Sequence, residues 1–404
     1  MLFRSLTIYL KIEMQNWLDA CLDQTSNEFF RNGRSGGRFE NQPGSLKRSE
    51  FGDPKFEISR LIMVIVLKVM KAKSFFHVIH PVNELPSMLC ASNMPNENIC
   101  YNAAMILVTG GTGFIGGYLI RHLDTLGKPY RLFLQPGIDQ TNLPRQADLQ
   151  VALSSMGDER GIRSALQGVD VIYHLVGVER AGVKADLMET EVNHLTRLTS
   201  LAVQAGVRRF FYLSHLGADR SSAYGLMRAK GIAESIIRKS GLNYTIIRSS
   251  MVYGEGDNFT INLARLIKIS PGVVLVPGDG STLVQPLWVE DLVTSLIWAL
   301  DMPVTENAIM EVGGPEHLSF LDVLKMIGKQ LKKKKRYVEF NPVQLSFLTQ
   351  FLESRIKDFP TTVFWMDYLA ENRTCDLDSM PRNFGINPAR MKHKIDYLNS
   401  AMRR

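Results

Sequence analysis

From residue 105 onward, short apolar runs alternate with amphipathic stretches of helical length. The runs fall at 105–109, 130–134, 149–152, 169–175, 210–214 and 244–247. They are nearly continuous rather than alternating, as expected of parallel strands buried on both faces. Between them, 114–127, 192–205 and 227–240 carry apolar residues at helical spacing. This alternation predicts an α/β fold, a doubly wound parallel sheet joined by right-handed crossovers. Beyond Arg248 the pattern is mixed. Short strands at 273–276, 283–288, 310–312 and 337–340 alternate with helices at 290–299, 319–331 and 344–356. They describe a smaller, mixed C-terminal lobe.

The first 104 residues lack this order. A glycine- and arginine-rich stretch at 32–38 and a polar one at 93–102 interrupt any periodicity. Two readings stand for this part. It is a genuine extension with its own partner, or it is upstream sequence read from a misplaced start codon, with Met105 the true first residue. The second is the expectation, because a strand of this kind commonly opens a domain. No chemistry is assigned to the segment.

Composition narrows the class. Of 404 residues, 45% are hydrophobic and 22% charged, enough for a large core in a globular protein. The four cysteines (Cys21, Cys90, Cys100 and Cys375) show no paired spacing, so no disulfide framework or metal site is expected. A reducing compartment, the cytoplasm, follows. The net charge of +7 is unevenly placed: +2 over 1–104, −2 over 105–316 and +7 over 317–404. A basic face attracts anionic lipid, an acidic partner or a charged substrate. The run Lys332 to Arg336 is read first as a solvated helix end, and peripheral membrane contact or a protein complex as the functional alternative. Nucleic acid is not an expected partner. The apolar run 61–70 contains Lys68 and is too short for a span, which takes about 20 apolar residues.

The chemistry begins at the end of the first strand. Gly110, Gly111, Thr112, Gly113, Phe114, Ile115 and Gly116 follow an apolar strand and open a helix. In that setting Gly110 permits the tight turn and Gly113 lets the backbone approach a pyrophosphate. Gly116 allows close packing of the helix. The phosphates would rest on free N–H groups at the helix N-terminus. A nicotinamide dinucleotide is the expected ligand.

This Gly-x-x-Gly-x-x-Gly spacing resembles the extended or atypical branch of the short-chain dehydrogenase/reductase superfamily. Asp158 lies where that family's acidic residue meets the adenine. His174 to Gly177 is similar to the loop lining the cofactor ribose, through Val176 and Gly177. Asn193 matches the helix asparagine, and Arg248 to Gly254 the segment beside the nicotinamide, with Ser249 in place of the usual proline. Val289-Glu290-Asp291 is similar to the Val-x-Asp that opens a helix near the substrate lobe. The resemblance implies a Rossmann domain over 105–250 and a substrate or partner lobe over 251–404, partly interleaved. At the place that selects the cofactor stands Gln135, neither the acid that grips an NAD ribose nor an arginine for a 2′-phosphate. Either NADP or NAD is allowed, with a lean to NADP.

The resemblance also implies a Ser-Tyr-Lys mechanism, with tyrosine four residues before lysine. Ser214 and Lys230 fit, but the tyrosine position is Leu226. Tyr224 substitutes only if it lies in the loop before the helix and swings in. His215 is a further candidate acid or base, although a lone histidine beside a glycine turn is more often structural. Gln285, Trp288, Met251 and Tyr253 are expected to line a pocket. Leu226 draws the chain toward NmrA-like proteins and the Rossmann-like accessory subunit of respiratory complex I. Two functions stay open. One is an NAD(P)-dependent oxidoreductase, or an epimerase/dehydratase working on a sugar nucleotide, with an unidentified small-molecule substrate. The other is a non-catalytic NAD(P)H-binding redox sensor or assembly factor.

Overall fold

The computed structural model describes residues 104–137, 149–177, 186–356 and 359–403. The expectations for the N-terminal extension, the apolar run 61–70 and three of the four cysteines lie outside the described residues.

Seven strands form one sheet: β1 (Ile106–Thr109), β2 (Tyr130–Leu134), β3 (Gln150–Leu153), β4 (Val171–His174), β5 (Arg209–His215), β6 (Tyr244–Ser249) and β7 (Ala308–Val312). Their order is β7-β6-β5-β4-β1-β2-β3, and every pairing is parallel. The order reverses between β1 and β4, which opens a crevice at their carboxyl ends. Thr109 and His174 are paired across that point.

Helices cover both faces because each presents one apolar stripe. On one face lie α1 (Phe114–Thr125) and, from the later part of the chain, Val289–Leu300. On the other are α2 (Glu159–Ala165), α3 (His194–Gln204) and α4 (Gly225–Lys239). Leu119, Ile120 and Leu123 of α1 pack with Leu292, Val293 and Leu296 against β1 and β4. Ile162, Leu198, Ala233 and Ile237 fill the opposite layer. Burying one leucine-sized side chain is worth about 1.5–3 kcal/mol, so these two layers hold the sheet.

After β6 the chain leaves the sheet, then returns to add α6 (Val289–Leu300) and β7. Between α4 and α6 lies α5 (Thr260–Ile269), and beyond β7 follow α7 (Phe320–Gln330) and α8 (Pro342–Arg355). The second core joins α5, α7, Val274, Val276, Phe364, Tyr368 and Leu398. The apolar pattern does not announce α5. It starts behind Asp257, a buried carboxylate that accepts N–H bonds from Gly254 and Thr260 and hydroxyls from Thr260 and Tyr397. Burial holds the Asp257 carboxyl above its ordinary range, against these bonds.

The continuous strand expected over 283–288 is two short ones. Leu283–Val284 pairs antiparallel with Leu318–Ser319, and Leu287–Trp288 pairs parallel with Val252–Tyr253. Gln285 and Pro286 separate them, and proline has no N–H to donate to a ladder. The lobes are locked by Arg373, which is buried, reaches the Leu216 carbonyl after β5 and stacks over Tyr224 and Tyr368. A side chain at Gly217 would collide with its Nη1, at 2.1 Å.

Candidate functional site

The glycine loop is built so that backbone meets backbone. Gly110 has φ +77, and a Cβ there would lie 2.6 Å from the Leu175 carbonyl oxygen. A Cβ at Gly116 would lie 2.2 Å from the Gly110 carbonyl oxygen, so α1 can start only where both residues are glycine. Gly116 therefore packs on the loop's own backbone rather than on the sheet. Gly111 turns inward: its Cβ would strike Ile120 and Leu132 in the core. Gly113 is different. Its φ of −74 suits any residue, and a Cβ would meet only the Gly110 oxygen, at 3.0 Å. No side chain caps α1, so its first-turn N–H groups are left for a ligand.

Gly113, Phe114 and Ile115 form one wall of a cleft enclosing about 920 Å³, out to its open mouth. Leu175, Val176 and Gly177, after β4, form the next wall. Leu213, His215 and Lys230 come from β5 and α4, and residues 249–252 close the far side with Tyr368 and Trp365. The hydroxyl of Ser250 is fully buried on that side and has no partner among the described residues. The cradle without side chains, the uncapped helix and this unpaired hydroxyl all fit a long phosphate-bearing ligand.

His174 braces the cleft from below. Its Nδ1 lies 2.8 Å from the Thr109 hydroxyl, and its ring is stacked near Tyr212. Burial, followed by the charges of Lys230 and His194, pushes its pKa down to about 3. It is a neutral strut.

The three residues expected to carry catalysis are not gathered at this cleft. The Ser214 hydroxyl donates to Glu234 at 2.6 Å, and Glu234 is clamped by Arg248 at 2.7 Å. That network is buried, and Ser214 is not in the cleft wall among the described residues. Lys230 is in the wall, but its ammonium is 2.9 Å from Glu191 and also donates to the Leu213 carbonyl at 3.3 Å. Tyr224 does sit ahead of α4, as its N-cap, with an extended backbone. Its ring turns to Arg373, 5.5 Å from the guanidinium, and it is also outside the described wall. Burial raises the Tyr224 pKa, followed by the nearby Glu371 carboxylate. Leu226 is buried in the second lobe's core.

The other expected contacts divide. Val176 and Gly177 line the cleft, as does Met251. Asp158 caps α2 through the Arg160 N–H and accepts the Ser154 hydroxyl. Gln135, half-buried, directly follows β2 beside an exposed Pro-Gly turn. Asn193 donates to Glu189 one turn earlier, and Thr112 stays partly exposed in the loop. Gln285 does not line the cleft: it bridges the Gly314 carbonyl and the Cys375 N–H at 2.8 Å each. Tyr253 and Trp288 pack on one another, ring centres 5.4 Å apart.

Glu191 and Glu234 were the residues the motif reading missed. Glu191 lies in a π-helical stretch, Met188–Asn193, which turns the side chain inward. Glu234 stands four residues after Lys230, on the same face of α4, a spacing that could have flagged a buried charged stripe. Trp365 and Tyr368 come from far down the chain and carry no local signal.

Known proteins resemble this chain in the same terms. A profile of the NAD dependent epimerase/dehydratase family matches residues 106–313. The mitochondrial NADH dehydrogenase (ubiquinone) 1 alpha subcomplex subunit 9 of Mus musculus is 28% identical over 224 residues, 54% of this chain. The match spans 59% of that relative's length. The NAD(P)H azoreductase of Xenophilus azovorans is 26% identical over 239 residues, 58% of this chain and 76% of that protein. Among solved structures, the UDP-glucose 4-epimerase of Thermus thermophilus in complex with NAD superposes with a TM-score of 0.57 at 18% identity. It covers 74% of this chain and 99% of that one, a likeness of fold alone. With the glycine loop and the parallel sheet in the matched region, the chain belongs to the NAD dependent epimerase/dehydratase family.

Proposed function

We propose that this protein holds a nicotinamide dinucleotide as a resident group and does not turn it over by a Ser-Tyr-Lys mechanism. The observation that carries the reading is the Lys230–Glu191 ion pair, with both side chains buried. In the short-chain pattern the lysine steers a tyrosine and grips the nicotinamide ribose. Here its charge is matched by a carboxylate, and Leu226 offers no proton. The glycine loop, first-turn N–H groups of α1, Val176, Gly177 and Ser250 would bind the dinucleotide. When bound, the dinucleotide supplies hydride-transfer capacity to the cleft. Leu213, Met251 and Phe259 would shield it from water. Gln135, which does not repel a 2′-phosphate, supports NADP over NAD.

A role as an accessory or assembly factor of a respiratory-type complex fits the resemblance to subunit 9 of NADH dehydrogenase. The basic residues of 317–404 would then face an acidic partner or an anionic membrane surface. No helix among the described residues is long and apolar enough to cross a membrane.

One observation favours a second reading, an NAD(P)-dependent oxidoreductase. His215 lines the cleft beside Lys230 and packs on Phe364 and Tyr368, where it would serve as the proton donor that Leu226 is not. Calorimetric titration with NADPH and NADH, followed by NADPH oxidation against carbonyl and quinone panels, separates the two. Binding without oxidation supports the resident-group reading; oxidation lost in His215→Ala supports the second.

A further inference from the structure

We propose that an apolar cavity adjoining the cleft takes the hydrocarbon tail of a small lipid-like molecule whose neutral, oxygen-bearing head reaches the cleft. The inference goes beyond cofactor binding and does not depend on turnover. The cavity spans about 870 Å³, counted out to its open mouth, between α5, α7 and α8. Its walls include Leu263, Leu266, Phe320, Leu324, Leu348 and Leu352. No Asp, Glu, Lys, Arg or His is in the wall among the described residues. A charged tail would lose its water here with no opposite charge in the wall to offset the loss, so the tail must be uncharged.

The two spaces share Asn258, Phe259 and Trp365 as walls. The indole N–H of Trp365 is buried and has no partner among the described residues. A buried donor without an acceptor costs stability, and a carbonyl or hydroxyl oxygen at the junction would satisfy it. The Asn258 amide lies on the same boundary and offers a second polar contact. Mostly apolar walls on one side, and the unsatisfied Trp365 N–H with the Asn258 side chain at the junction, thus define a ligand with a long tail and a neutral head. α8 carries the same character outward, with Val343 and Phe347 exposed by 63% and 58% while Leu348 and Leu352 line the cavity. A tail entering from an apolar phase would meet this helix first.

The probe is a series of 1,4-benzoquinones with n-alkyl tails from ethyl to dodecyl, titrated calorimetrically into the full chain below their micellar concentrations. Each buried methylene contributes about 0.8 kcal/mol, so affinity should rise about fourfold per carbon until the cavity is full. Affinity independent of tail length overturns the proposal. Leu345→Trp, which projects an indole into the cavity, should cut dodecyl affinity at least about tenfold and leave NADPH affinity unchanged. Wild-type dodecyl binding in that variant also overturns it. If circular dichroism shows that Leu345→Trp does not fold, Leu266→Ala replaces it. That enlargement should move the affinity plateau to longer tails, and an unmoved plateau counts against the cavity. Loss of NADPH binding with the chain-length dependence intact would sink the cofactor reading and leave this one standing.

Discussion

The ammonium of Lys230 lies 2.9 Å from a carboxylate oxygen of Glu191, and both residues are almost fully buried. Tyr212 donates its hydroxyl to the same oxygen at 3.2 Å, and its ring lies under the ammonium. Such a pair is expensive to break from one side, because the remaining charge is left buried without its counter-ion. Lys230→Met and Glu191→Gln should each lower stability by about 3–5 kcal/mol. The double variant should recover most of that loss. Urea unfolding of all three checks the pair: additive losses would show that the two charges do not compensate one another.

The same pair governs the missing tyrosine. Leu226→Tyr restores a phenol one helical turn before Lys230, and a general acid is worth about 10² to 10⁴ in rate. With Lys230 committed to Glu191, the variant is expected to leave NADPH oxidation at background. Tyr224→Phe should also change nothing, since that ring packs on Arg373 rather than on the cleft. A rate gain in Leu226→Tyr would mean that Lys230 is free to act. A loss in Tyr224→Phe would mean that its loop swings inward.

The parallel sheet and the glycine loop are legible in sequence because each rests on a local rule. Buried strands such as Ile106–Thr109 must be continuously apolar, and Gly110 and Gly116 must lack a Cβ. What escapes is set by distant contacts. β7 comes from residues 308–312, beyond the 105–250 span that the resemblance implies for the Rossmann domain, and it joins the sheet only by pairing with β6. The inward turn of Glu191 needs a π-helical stretch that periodicity does not predict. Ser214 looks like a catalytic serine by position, yet Glu234 and Arg248 determine where its hydroxyl points. Trp365, at the junction of cleft and cavity, lies far along the chain from the glycine loop and its companion motifs.

His174 should make the fold acid-sensitive. Its folded pKa is pushed down to about 3 from an ordinary value of 6.5, chiefly by burial. The unfolded chain therefore binds the proton more readily, and stability falls as pH drops from 6.5 toward 3. The slope is at most about 1.4 kcal/mol per pH unit, so about 2 kcal/mol should be lost by about pH 5. His174→Gln keeps a partner for Thr109 but cannot titrate, and its stability should be flatter across this window. Parallel slopes for the two proteins would place the acid sensitivity elsewhere.

The glycine loop offers a test in which fold and binding come apart. Gly113 has an ordinary φ of −74, and the one close neighbour of an added Cβ is the Gly110 oxygen at 3.0 Å. A side chain there is tolerable to the backbone but points its bulk at the wall of the cleft. Gly113→Val should keep the circular dichroism and melting temperature close to wild type, within the few degrees that about 1 kcal/mol produces. Its NADPH affinity should fall by about a hundredfold or more, because the pyrophosphate must approach this backbone closely. Gly110→Ala should behave in the opposite sense. At φ +77, with a Cβ only 2.6 Å from the Leu175 carbonyl oxygen, it strains the turn and destabilises the protein before any ligand arrives. Calorimetric titration beside thermal melts of the two variants reads both effects. Undiminished NADPH affinity in a folded Gly113→Val would move the phosphate site away from this loop.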